Sequence, residues 1–216
     1  MTVNVPYRKP PRKGRQGPSP LEGEHVRPLS RSQVEDRWQE LGDLYAQTSG
    51  GGPRGGDQDR AGFLRRLAVD VRRPGFALLI AETVGVGDMP VLTGCAYGFP
   101  VCVDDPPGRG PSWRGLDGYL PEHLLQLASS GGLFAISGIL VPPRVRAKDQ
   151  DRDWNLARRL QKRLLTDHAA ALGVILVDRG DTRTLEALRS WGWRSVATDR
   201  RNASQPAPCH VLIVGP

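Results

Sequence analysis

The sequence predicts an α/β (α+β) fold, a sheet covered by helices, preceded by a basic arm. Three observations carry this. Short apolar runs of strand length are interspersed with segments whose apolar residues recur every three or four positions. Glycine and proline clusters punctuate the junctions between them. The 216 residues are enough for one domain with a sizeable core and too few for several.

Residues 1–31 read as a disordered, Pro- and Arg-rich arm. They hold seven basic and two acidic side chains and little that is apolar, so burial cannot offset the entropy of ordering them. Such an arm serves either as a basic hook for nucleic acid or an acidic partner, or simply as a solvating tail. The folded part, 32–216, then carries only a small share of the formal net charge of +7, which disfavours nucleic-acid coating as a role.

From Ser32 the pattern is helical, with Val34, Trp38, Leu41, Leu44 and Tyr45 on one face as far as about Ser49. A Gly-rich connector follows, and Asp57 or Asp59 caps a second helix containing Phe63, Leu64, Leu67, Ala68 and Val71, stopped by Pro74-Gly75. Phe76 to Ala81 and Val91 to Val103 flank a turn from Gly85 to Pro90 and read as a hairpin. After an Arg- and Gly-rich loop containing Trp113, a short helix runs from Pro121 to Ala128. Leu133 to Val141 is apolar on both faces, the mark of a central strand, and Pro142-Pro143 ends it. A helix from about Trp154 to Leu172 carries a Leu156, Leu160, Leu164 ridge and has Gly173 as its stop. Val174 to Val177 is a buried strand. Asp181 caps a helix through Trp191 that Gly192 ends, and Trp193 to Ala197 and Val211 to Val214 form two last strands.

Three cysteines, Cys95, Cys102 and Cys209, make neither a disulfide framework nor a zinc site, and the four histidines form no ligand set, so no metal is expected. Cys95 and Cys102 read as packed thiols, with a covalent acyl relay as the alternative. The absence of a long apolar run or a secretory leader favours a cytoplasmic protein with no membrane partner.

The chemistry concentrates where the central strand hands over to the long helix. A helix N-terminus there offers unpaired N–H groups and a positive dipole end to phosphates. Arg144, Arg146, Lys148, Arg152 and Arg158 approach it, against Asp149, Asp151 and Asp153. Arg152-Asp153-Trp154-Asn155-Leu156-Ala157 resembles the pyrophosphate loop of the GNAT superfamily of N-acetyltransferases, with Asn155 in place of the first glycine. Asn tolerates a left-handed backbone best among non-glycine residues. Asp181, Thr184, Ala187, Leu188, Gly192 and Trp193 follow a second spacing of that family, with Asp181 at an Asn position and Leu188 where many members have the Tyr that protonates the leaving thiolate.

The resemblance spans roughly Leu41 to Val214 and implies a single domain with a central mixed, mostly antiparallel sheet covered on both faces. It implies acetyl-CoA as co-substrate and direct attack by a primary amine of unidentified identity. Ile139, Leu140 and Val141 would pair with pantetheine, and Arg152, Asn155, Ala157, Arg158 and Asp181 would hold the rest of the cofactor. The strand lacks the usual acid, which leaves Glu82, His123 and Asp178 as candidate bases and Ser137 to position water or donate to the thiolate. The rival readings are a GNAT-like domain that binds acyl-CoA without turnover, or serves as an interaction module, and an arm that tethers nucleic acid. The last predicts salt-dependent binding lost on deleting residues 1–31, with acetyl-CoA binding surviving.

Overall fold

A computed structural model describes residues 24–49, 56–85, 88–101, 122–143, 145, 155–196 and 209–216. Among the described residues, seven strands form one sheet in the order β1-β2-β3-β4-β5-β7-β6. They are β1 (His25–Leu29), β2 (Ala77–Val84), β3 (Pro90–Pro100), β4 (Leu133–Leu140), β5 (Leu172–Asp178), β6 (Arg194–Ser195) and β7 (Cys209–Val214). Every pairing is antiparallel except β4 with β5. The mixed, mostly antiparallel sheet expected from the sequence is therefore present, with β4 at its centre. The helices that accompany it among the described residues include α1 (Arg31–Asp36), α2 (Trp38–Ser49), α3 (Gly56–Val71), α4 (Glu122–Ser129), α5 (Leu156–Asp167) and α6 (Thr182–Ser190).

The two faces of the sheet are sorted by the period-2 alternation of its strands. On β2, Leu79 and Ala81 pack with Leu156, Leu160 and Leu164 of α5, while Leu78 and Ile80 pack with Leu41 and Leu44 of α2 and Phe63 and Leu67 of α3. Both faces are covered, which is why β2 and β4 read as unbroken apolar runs. A third cluster joins Leu124 and Ala128 of α4 to Leu133, Ala135 and Val174.

Three sequence expectations are corrected. Residues 25–29 are not part of a disordered arm. They form the edge strand β1, paired with β2 from His25↔Glu82 to Leu29↔Leu78. Glu24, just before it, has a side chain only 1% exposed and bonded to Arg159 of α5. Pro28 is acceptable because an edge strand has an unladdered side. Residues 1–23 lie outside the described residues. The single helix expected from Ser32 to Ser49 is divided at Arg37, although the Arg37 N–H still bonds to Gln33 O and the Leu41 N–H to Arg37 O. Ser30 starts it through a capping box with Gln33. Finally, α5 stops at Asp167 rather than at Gly173. Ala169 takes the left-handed conformation at φ 50°, and Gly173 lies within β5, opposite Val214.

Candidate functional site

The site begins with a local defect in β4. Tyr97 pairs with Gly138 but Gly98 pairs with Ile136, so Ser137 is an extra residue, a β-bulge. The core assignments agree. Before the bulge, Phe134 and Ile136 face α5; after it, Ile139 faces α5 and Leu140 faces α2 and α3, so parity inverts across Ser137. No inversion occurs on β3, where Cys95 and Tyr97 keep to one face. Glycines flank the bulge for steric reasons. A Cβ on Gly138 would lie 2.6 Å from Cε1 of Tyr97.

Next to this bulge the sheet splits. Parallel pairing of β4 with β5 covers only Leu133↔Leu172, Phe134↔Gly173 and Ala135↔Val174. Beyond Ala135 the edge of β4 that faces β5 is not laddered to it, which leaves backbone donors and acceptors directed into the gap. A cleft of about 340 Å³ occupies it. Its walls are Ser137 to Leu140 of β4, Ile175 and Leu176 of β5, Tyr45 and Thr48 of α2, and the first turns of α6. Tyr45 is held in place by stacking on Phe63, with ring centroids 4.5 Å apart.

The residues singled out in the sequence divide into groups. Ser137, Ile139, Leu140 and Asp181 line the cleft, and so does Leu188. Asp181 caps α6, accepting the Thr184 N–H at 2.9 Å. Val141 and Ala157 are buried in the core that joins α5 to the sheet. Asp178 is exposed and accepts the Gly180 N–H at 2.7 Å, as a strand-end turn residue does. It is not among the residues that line the cleft. Glu82 is likewise elsewhere, bonded by Arg27 at 2.7 Å and by Arg37. Burial alone would raise its carboxyl, but the two guanidinium hydrogen bonds outweigh that and hold it below the usual carboxylate range, which suits an anchor better than a base. His123 is exposed on α4. Arg152, Cys102 and Trp113 lie outside the described residues.

Asn155 and Arg158 have structural tasks that their sequence positions did not disclose. Asn155 sits at φ −57°, not in the left-handed region, and its side-chain oxygen accepts the N–H groups of Ala157 and Arg158 at 3.0 and 3.4 Å. It caps α5 with the amides that a phosphate would otherwise use. Arg158 donates through Nε to the Trp191 carbonyl at 3.1 Å, beside Gln161, which donates to the same oxygen. Gln161 in turn accepts from Trp193 Nε1 at 2.8 Å. Together they fasten the C-terminal end of α6 to α5, with a cation where the helix dipole favours one. Arg158→Ala should lower stability by roughly 1–2 kcal/mol, read as a shifted urea midpoint.

Cys95 is buried, and burial pushes its thiol up to about 12, against a lesser lowering from a hydrogen bond with the Leu140 backbone. That leaves almost no thiolate for an acyl relay.

Sequence reasoning missed Tyr45, Thr48, Arg183 and Trp191 as cleft residues, and missed Asp70 altogether. Asp70 sits on α3 with its side chain 15% exposed, 3.2 Å from Arg73. Burial raises its carboxyl above the usual range, more than Ser137, Arg73 and Arg66 lower it. A signal was available, since Asp70 falls three residues after Leu67 and seven after Phe63, an acid on the stripe that faces the core.

Comparison with known proteins places the architecture. No protein-family model matches the chain, and no curated protein matches it. Solved structures do. The PaiA N-acetyltransferase from Thermoplasma acidophilum, in complex with coenzyme A, superposes at a TM-score of 0.50 and 8% identity, over 89% of this chain and 99% of that one. Protein PH1933 from Pyrococcus horikoshii gives 0.50 at 14% identity, over 89% and 99%. The GNAT domain of PAT from S. lividans gives 0.47 at 12%, over 89% and 90%. The fold is that of the GNAT acetyltransferases. At such identities the likeness concerns the fold alone.

Proposed function

We propose that the protein is an acetyl-CoA-dependent N-acetyltransferase whose acceptor is a primary amine. The observation that carries the reading is the parting of β4 from β5 after three paired residues, directly beside a bulge. Unladdered backbone at Ile139 and Leu140 offers a pantetheine chain the hydrogen bonds a neighbouring strand would make. The same edge positions a thioester near Ser137, where backbone N–H dipoles can polarise its carbonyl, and holding the amine beside it lowers the entropic barrier. Arg152 and the first turn of α5 would hold the pyrophosphate, and Asp181 would border pantetheine from α6. The amine nitrogen attacks the carbonyl carbon, the C–S bond breaks, and the thiolate leaves without help from Leu188, which has no proton to give.

Two observations favour a second reading, acyl-CoA binding without turnover: Leu188 in the cleft wall, and the α5 amides already taken by Asn155. Calorimetric titration of acetyl-CoA into the full chain tests both. Saturable binding is expected, weakened at least about tenfold by Ala187→Phe, which places an aromatic ring in the cleft wall. Thiol release with amines then separates transferase from silent binder. If acetyl-CoA, free CoA and longer acyl-CoAs all fail to bind, both readings are wrong.

A further inference from the structure

We propose that the groove between α5 and the β6–β7 edge of the sheet is a second ligand site, separate from the cleft, that takes a small oligophosphate, either the phosphate chain of a nucleotide or an inorganic one. The inference goes beyond the transferase reading and stands or falls without it.

The groove holds about 590 Å³, more than the cleft and within the roughly 300–1,000 Å³ of small-molecule sites. Arg158, Arg159 and Lys162 line it from α5 and Arg194 from β6, and among the described residues no Asp or Glu lines it. Leu172 and Ile213 add apolar surface from the sheet. Cations gathered in a concave place with low-dielectric walls focus their field on whatever anion enters. These four come from two elements, α5 and β6, which suits a chain of phosphates better than a single one.

Two of the four cations are fixed in place before any ligand arrives. Arg158 donates its Nε–H to the Trp191 carbonyl at 3.1 Å, and its Nη2 lies so close to Gly192 that a Cβ there would meet it at 3.0 Å. Arg159 is bonded to Glu24, whose other carboxylate oxygen accepts the Thr93 hydroxyl at 3.4 Å. A guanidinium already held by its neighbours loses little freedom when phosphate oxygens bind beside it. Lys162 and Arg194 are exposed and make no salt bridge among the described residues, so they can close on a ligand from outside.

The arm does not supply the missing counter-charge. Residues 1–23, which enter the fold at Glu24 beside Arg159, hold five basic side chains and one acidic one, and so add charge of the same sign at this rim. The groove is also distinct from the cleft. The first turns of α6 line the cleft, whereas Gly192 and Arg194, beyond its last turn, line the groove. Trp191 is the one lining residue that the two have in common, so both can be filled together.

The test titrates ATP, tripolyphosphate and adenosine into the full-length chain by calorimetry, with and without saturating acetyl-CoA. ATP and tripolyphosphate should bind saturably and more weakly as salt rises, and adenosine should not bind. Lys162→Glu and Arg194→Glu, both at exposed positions that the fold does not lean on, should each weaken ATP at least about tenfold and leave acetyl-CoA affinity within about threefold of wild type. Arg65→Glu, an exposed reversal on α3 across the sheet, should leave ATP affinity within about threefold. ATP binding tighter than tripolyphosphate assigns the groove to a nucleotide and equal binding to an inorganic oligophosphate; either upholds the site. Three results would overturn it: no binding of ATP or tripolyphosphate, equal losses from all three reversals, which reduces the effect to net charge, or displacement of ATP by acetyl-CoA, which makes the groove part of the cofactor seat. Failure of acetyl-CoA alone to bind removes the transferase reading and leaves this proposal standing.

Discussion

Gly98→Ala is expected to lose about 3–5 kcal/mol of stability, most of what a domain of this size holds in reserve. The added Cβ would sit 2.0 Å from the Ala135 carbonyl oxygen and 2.8 Å from the Phe134 ring. Neither can yield. Ala135 belongs to the last rung between β4 and β5, and Phe134 is buried against α5. The strain would have to be relieved by moving β3 away from β4 at the bulge itself. Guanidinium unfolding measures it, and a midpoint equal to that of wild type would show that the β3–β4 register differs from the one described.

The second large effect concerns the carboxylate that joins the edge of the sheet to the first helices. Glu82→Gln removes the partner of Arg27, whose side chain is 43% exposed, and of Arg37, which is 15% exposed. Arg27 can recover hydration, but Arg37 cannot do so fully, so the expected cost near neutral pH is about 2–3 kcal/mol, below that of breaking a fully buried pair. The Glu82 pKa is lowered in the folded state. Its stabilisation is therefore fully present above the unfolded value of about 4.3 and is lost as pH falls through the lower folded value. Urea midpoints of wild type and variant should differ at about pH 7 and converge below about pH 3. A gap that persists undiminished in acid would mean that packing, not charge, holds this junction.

Much of the fold was legible because strands and helices here obey their periods. The apolar runs at 76–81 and 133–141 lie within three residues of the ends of β2 and β4, and Gly75 and Gly192 take the left-handed conformations that their stopping positions required, at φ 68° and 97°. What failed had physical causes. His25 to Leu29 offers only Val26 and Leu29 to bury and contains Pro28, so as an isolated segment it reads as tail; its order comes from pairing with β2 and from Glu24 reaching α5. Ser137 gave no sign of a bulge, because a bulge is a property of two strands and one sequence segment describes one. Asn155 matched the position of a loop glycine, yet a side-chain oxygen one residue before a helix is most strongly drawn to the helix amides. The cleft draws on α2, β4, β5 and α6, and no linear motif spans all four.

The placement of β1 bears on how the chain can be shortened. A protein trimmed to residue 32 would lose an entire hydrogen-bonded strand as well as the arm before it. β2, with Leu78 and Ile80 fully buried, would become the outermost strand and present an open row of amides and carbonyls beside apolar side chains, an invitation to stack on another copy. Self-association of such a truncate would therefore report a lost shield and say nothing of the arm itself. Questions about the arm belong to a cut made before Glu24.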